Sequence, residues 1–365
     1  MKKYQFNKIL IIATRQIGDT LITTPLIERT HALWPNAKID FLGFSNAVDI
    51  LKGNPYLNEI IGTSKKPSKK EYFQILKKLW SQYDLAIITQ PSDRAYLYGL
   101  ISASKRVGVC HPGKEDHGWK KWITMHQVPI DYFSQHVVIE KLKLLDPFIE
   151  STDVSQTINI QAPTFASLPV ELQDISKKYV VIHPSPLNAY KCWPISSWVK
   201  LIEYFIQENL VVVISGGPDK TDQLLVQNIL QELNPNLEQM IFNFTGKLSF
   251  SELAQVLHHA LAYVGVDTAI THLAASCDTP TIALFGPTPP TNFGPWPNGH
   301  AQLQPYALRA PKQTVRNVTI LQGPGDCVPC RKAGCDDTAN SRSICLEELS
   351  TESVISAFTE LPKMA

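Results

Sequence analysis

Short, uninterrupted apolar runs recur along this chain, separated by stretches of helical periodicity, and few folds accept that rhythm. Ile9–Ala13 is the first run. Lys38–Gly43, Asp84–Ile88 and Arg106–Val109 follow it. A strand that is apolar at successive positions is buried on both faces, as in a parallel sheet. Between the runs lie segments such as Tyr72–Tyr83, with Phe73, Leu76, Leu79 and Trp80 at helical spacing. His136–Leu145 reads as another helix. Strand, helix, strand in this order means right-handed crossovers and an α/β fold.

The rhythm stops in the polar, Pro-containing stretch Ser151–Leu168 and then restarts. Tyr179–His183, Leu210–Ile214, Met240–Asn243, Ala262–Val266 and Thr281–Phe285 read as strands. Trp198–Glu208, Thr221–Leu233 and Ser249–Leu261 read as helices, and a capped helix is expected from Ser350 to about Leu361. A chain of 365 residues exceeds one ordinary core. The sequence therefore predicts two Rossmann-like domains, 1–165 and 166–349, with 350–365 as a C-terminal helix packing back on the first domain. Ligands would bind at the carboxyl ends of the strands, in a cleft between the domains.

Composition excludes other classes. With 44% hydrophobic and 18% charged residues the chain is globular rather than disordered. No apolar stretch approaches the roughly 18 residues that span a bilayer. Ile9–Ala13 is shorter than the about 7–15 residues of a signal-peptide core, so a cytoplasmic location is expected. The net charge of +1 is unevenly placed: residues 1–150 hold 21 Lys+Arg and 14 Asp+Glu, a balance of +7, and the remainder −6. A basic first half suits an anionic partner or an anionic membrane surface, or is simply a solvated face. Nucleic acid is not an expected partner.

Three segments carry candidate chemistry. In Gly265-Val-Asp-Thr-Ala-Ile-Thr-His-Leu-Ala-Ala-Ser276 a strand hands over to a helix, with Asp267 placed as N-cap. The first N–H groups, near Thr268, Ala269 and Ile270, would have no intrahelical partner and would suit a phosphate. Thr271 and His272 lie within the next turn. A plain helix cap is the competing reading. Ile214-Ser-Gly-Gly-Pro-Asp219 brings Gly216, Gly217 and Asp219 to a strand end where a ligand can approach the backbone. It lacks the spacing of a Walker loop. Gly286 lies in a Gly-Pro loop after the strand Thr281–Phe285, and Lys191 sits in a loop where it would face an anion or simply solvent. In Thr14-Arg-Gln-Ile-Gly-Asp19, Asp19 beside Gly18 is either a cap or a base.

Taken together, Gly18-Asp19-x-Leu-x3-Pro25, His136 before a Leu-rich helix, Lys191-x-Trp-Pro194, Gly216-Gly-Pro218, Thr245-Gly-Lys-Leu-Ser249, Asp267-Thr-Ala-x2-His-Leu-Ala-Ala275 and Phe285-Gly-Pro-Thr288 resemble, in order, the heptosyltransferase family, glycosyltransferase family 9. The resemblance implies an α/β fold of GT-B type, two Rossmann-like domains with parallel sheets facing a central cleft. It implies an inverting, metal-independent enzyme that moves heptose from ADP-heptose to a lipopolysaccharide inner-core acceptor, with peripheral contact at the inner membrane surface. No catalytic cofactor is implied. The first domain would bind acceptor and the second the nucleotide sugar. Asp19 would be the general base. Thr268, Ala269 and Lys191 would hold the diphosphate, Asp267 the sugar hydroxyls, and Lys247 and Leu248 the adenine. Where the family usually places an acid for the ribose this chain has Lys220, flanked by Asp219 and Asp222, which leaves room for another nucleotide sugar. A non-catalytic binding protein with a degenerate cleft is the reading from outside enzymes.

Seven cysteines include the compact set Cys327, Cys330, Cys335 and Cys345 within the segment 327–345. Their spacing, which also resembles a segment of some family members, suits a structural zinc site or a knuckle of reduced thiols.

Overall fold

The computed structural model describes residues 4–113, 118–149, 157–173 and 175–361. The chain forms two compact units, Met1–Thr164 and Phe165–Ala365. The stretch 151–156 of the expected linker lies outside the described residues, as do 362–365 of the last segment.

The first unit is a six-stranded parallel sheet. Its strands are β1 (Lys8–Ala13), β2 (Lys38–Phe44), β3 (Glu59–Thr63), β4 (Tyr83–Ile88), β5 (Ala103–Cys110) and β6 (His126–Pro129), in the order β3-β2-β1-β4-β5-β6. Ile9 pairs with Ile39 on one side and Leu85 on the other. Ile9 to Ala13 are fully buried, as the unbroken apolar run requires. Helices begin where side chains supply the missing acceptor: Ser68 accepts from the N–H of Glu71, and Ser92 from that of Ala95. The helix expected at Tyr72–Tyr83 is Lys69–Leu79. Its core face is Ile75 and Leu79, whereas Phe73 and Trp80 are exposed.

The second unit repeats this plan with β7 (Tyr179–His183), β8 (Val211–Ile214), β9 (Ile241–Asn243), β10 (Ala262–Val266), β11 (Thr281–Phe285), β12 (Lys312–Val315) and β13 (Val318–Gln322). The order is β12-β13-β11-β10-β7-β8-β9. Without the antiparallel edge strand β12, it is again 3-2-1-4-5-6, counted from β7. The helix Ile195–Gln207 buries Trp198, Leu201, Ile202 and Phe205 in the core. The last helix, Thr351–Thr359, is capped by Ser350 and buries Val354 and Ala357 in this same core. Phe205 and Leu346 belong to that same cluster.

Candidate active site

In doubly wound sheets the strand order reverses between the first and fourth strands, and ligands bind beyond the carboxyl ends there. In the first unit that place lies between β1 and β4. The chain leaves β1 at Ala13 and enters a five-residue helix, Ile17–Leu21, whose N-cap position is Gln16. Gly18 and Asp19 fall in its first turn. Asp19 is thus not the cap residue. Its carboxylate meets the Arg15 guanidinium at 3.7 Å, and its side chain is 28% exposed. The Thr23 hydroxyl donates to the Asp19 carbonyl at 2.6 Å. A second helix, Thr24–Leu33, then starts with Pro25 in its first turn, where the missing N–H does no harm.

Two groups unsuspected from sequence surround this turn. Lys141, in the helix Val137–Leu142, is only 3% exposed. Burial pulls its ammonium down to about 8, Asp19 opposing that shift and Arg15 adding to it. Tyr132 is raised, mainly by burial; Arg15 lowers it, and Asp19 and Glu140 raise it. Nothing in the sequence distinguishes Lys141 from a solvated lysine.

The second unit's switch lies between β7 and β10. His183 ends β7, and its Nδ1 lies 3.0 Å from the Ser215 hydroxyl. That hydroxyl donates to the Ile182 carbonyl, so Nδ1 is the donor and carries the ring proton. Burial pulls His183 down to about 4, against the backbone contacts with Ser185 and Ser215 that raise it, so the ring is neutral.

Asp267 follows β10. The helix after it is Ala269–Ser276, and its N-cap position is Thr268, not Asp267. Asp267 instead forms an ion pair with Lys191 at 2.6 Å. Burial alone would raise this carboxyl, but the Lys191 ammonium, the Thr288 hydroxyl and His272 outweigh it and hold it below its ordinary value. Lys191 is raised for the reciprocal reason: burial lowers it, and Asp267 more than compensates. Lys191 is therefore neither a free surface lysine nor an uncommitted anion ligand. Thr271 is scaffold, since its hydroxyl is spent on the Val266 carbonyl and lies 3.0 Å from the Tyr263 hydroxyl.

Gly216 and Gly217 follow β8. A Cβ on Gly216 would come 2.8 Å from the Thr245 methyl, so the two loops meet backbone to side chain. Asp222 accepts from the Gly217 N–H at 2.7 Å, while Asp219 takes the N-cap position without a side-chain bond. Lys247 is exposed and folds back to donate to the Asn243 carbonyl at 2.9 Å; Leu248 beside it is half-buried. Gly286 ends against the cysteine segment: a Cβ there would lie 2.8 Å from Leu346 and 3.0 Å from the Cys345 sulfur.

The four clustered cysteines are free thiols. Among the described residues no group of three or more His, Cys, Asp or Glu side chains is placed to hold a metal ion. Cys345 is buried, and burial pushes its thiol up to about 11. Cys330, Cys335 and Cys327 lie near enough to Cys345 to add to that shift.

A family model described as glycosyltransferase family 9 (heptosyltransferase) matches residues 72–319. The chain belongs to that family. It is a glycosyltransferase, 32% identical over 295 residues to a lipopolysaccharide heptosyltransferase 3 of Escherichia coli, a match covering 78% of this chain and 85% of that one. It is 22% identical over 301 residues to a lipooligosaccharide heptosyltransferase 2 of Haemophilus influenzae, covering 77% and 84%. The fold is that of the E. coli ADP-heptose lipopolysaccharide heptosyltransferase II structure, with a TM-score of 0.73 at 18% identity over 96% of this chain and 97% of that one. The E. coli heptosyltransferase WaaC with ADP matches with a TM-score of 0.71 at 18% identity, over 97% and 99%.

Proposed function

We propose that this family 9 enzyme moves heptose from ADP-heptose to a sugar of the lipopolysaccharide inner core, by inverting displacement without a metal. The observation that carries the reading is the ion pair of Lys191 with the buried Asp267 beside the start of helix Ala269–Ser276. The helix start offers N–H groups and positive potential to a diphosphate. Lys191 already balances Asp267, so an incoming diphosphate competes for its ammonium, and the freed carboxylate accepts hydrogen bonds from sugar hydroxyls. In the first unit, Asp19 takes the proton of the acceptor hydroxyl as that oxygen bonds to the anomeric carbon. The bond from that carbon to the diphosphate breaks in the same step, and the electron pair leaves with ADP. Positive potential at the diphosphate stabilises that charge.

We place the reaction at the cytoplasmic face of the inner membrane, since such an acceptor is borne on lipid. The test is a transfer assay with ADP-heptose and truncated lipopolysaccharide cores, beside thermal-shift titrations with ADP, UDP and GDP. Stabilisation by ADP alone, with transfer, supports the reading. Stabilisation by UDP or GDP instead replaces the donor, an outcome that Lys220 beside the committed Asp222 keeps in play.

A further inference from the structure

The charge excess of the first unit has an address. Residues 64–123 hold 12 Lys+Arg and 5 Asp+Glu, a balance of +7, which equals the whole excess of residues 1–150. The same stretch ends in Gly118-Trp-Lys-Lys-Trp-Ile123. Its helix, Trp119–Ile123, leaves Trp122 86% exposed and Trp119 41% exposed. An indole held this far into water is unfavourable for a protein that meets only water.

The helix is fixed at both ends. Lys120 forms an ion pair with Asp93 at 2.8 Å and donates to the Pro91 carbonyl at 2.6 Å. The Arg106 guanidinium donates to the Ile123 carbonyl. Trp119 packs edge-on against Tyr96, ring centroids 6.2 Å apart. Arg94, next to Asp93 at the start of the helix Asp93–Ser102, donates to the Lys65 carbonyl at 2.7 Å, which ties the exposed Lys65-Lys66 loop to that helix start. Loop, helix start and tryptophan helix thus form one continuous surface, and it follows the carboxyl ends of β3, β4 and β5, the sheet edge that also carries Asp19.

We propose that this surface docks the first unit on a bilayer of anionic phospholipid, with Trp122 seated at the headgroup level and Lys65 and Lys66 against lipid phosphates. Tryptophan favours the membrane–water interface, and each lysine near an anionic leaflet adds attraction. A small anion has no use for an outward indole. The proposal deepens the membrane reading above, yet its test uses neither donor nor acceptor, so either can fail alone.

The experiment is flotation of the full chain with phosphatidylethanolamine/phosphatidylglycerol vesicles and with phosphatidylcholine vesicles, read with tryptophan emission. Preferential binding to anionic vesicles, weakened by salt and accompanied by a blue shift, is expected. Trp122→Ala should weaken binding about tenfold, and Lys65→Glu with Lys66→Glu by a similar factor. The thermal midpoint and the nucleotide thermal shift should be unchanged in both, since these side chains are exposed. Equal partition of the wild type between the two vesicle types would overturn the proposal. So would Trp122→Ala binding like wild type, or duplex DNA displacing the vesicles at equal salt.

Discussion

Lys141→Met tests whether a charge is held beside Asp19 against the preference of the fold. The residue is 3% exposed, and its ammonium falls from 10.5 to about 8, burial being the main cause. The folded protein therefore releases this proton more readily than the unfolded chain. Between pH 8 and 10.5 the unfolded state binds more protons, so stability rises with pH through that window. Below it the folded state bears the whole penalty. A shift of 10.5 − 8, about 2.5 units at 1.36 kcal/mol each, is about 3 kcal/mol. Methionine keeps an unbranched chain of similar length without the charge. The variant should be more stable at pH 7 by up to about 3 kcal/mol, or roughly 6–12 °C in the midpoint of a unit of this size. The advantage should vanish as pH approaches 10.5. Denaturant unfolding of both proteins across pH 7 to 10 measures it. Transfer should fall in the variant, because an unfavourable charge at such a place is kept for function. A variant less stable at pH 7, or an advantage independent of pH, would refute the reasoning.

Asp19→Asn should fold like wild type, since a partly exposed pair at 3.7 Å contributes little, and should lose about 10²–10⁴ in kcat; a fully active variant removes Asp19 as base. Lys191→Met strands the buried Asp267 charge and should destabilise by about 3–5 kcal/mol. Adding Asp267→Asn should restore part of it, which a double-mutant cycle by denaturant unfolding would show. His183 is held at about 4 against 6.5 in the unfolded chain, so its contribution is complete above pH 6.5 and is lost as pH falls from 6.5 to 4. His183→Gln should flatten that stretch of the stability profile. Chelation with EDTA should leave turnover unchanged in the transfer assay, and a large loss would contradict metal-free displacement.

The strands legible in the sequence were those buried on both faces. Ile9–Ala13 and Tyr179–His183 stand out because nothing polar interrupts them until the end of the strand. The strands β3 and β6 lack that signal: Glu59-Ile-Ile-Gly-Thr is short and part-exposed, and His126-Gln-Val-Pro is an edge with one buried residue. The pair β12 and β13 turns through Arg316 at φ 54°, a conformation that its side chain does not advertise. At the candidate site, the positions of Asp19, Lys191 and Asp267 after strands or in strand-end loops were legible. What could not be read was how far each was already engaged. Helical spacing picked out Phe73, Leu76, Leu79 and Trp80, yet Phe73 and Trp80 are exposed while Ile75 and Leu79, with Tyr72 and Leu76 against them, meet the core, because period alone does not fix where the apolar stripe points. Lys141 was invisible because burial of a lysine is a tertiary event.

Two aspartates follow strands that lie at or beside a switch point, and their surroundings divide the work between them. Asp267 is buried, meets an ammonium at 2.6 Å and is held below its ordinary value. A carboxylate stabilised in that way has little appetite for a proton. It can orient hydroxyls but is the weaker choice of base. Asp19 is open to solvent over about a quarter of its side chain, 28%, and its guanidinium partner stands off at 3.7 Å. Its oxygens remain reachable by an incoming hydroxyl. Accessibility with weak pairing is what a general base requires, and tight pairing in a dry place is what a fixed sugar ligand requires. On that difference we assign proton abstraction to Asp19 and sugar recognition to Asp267.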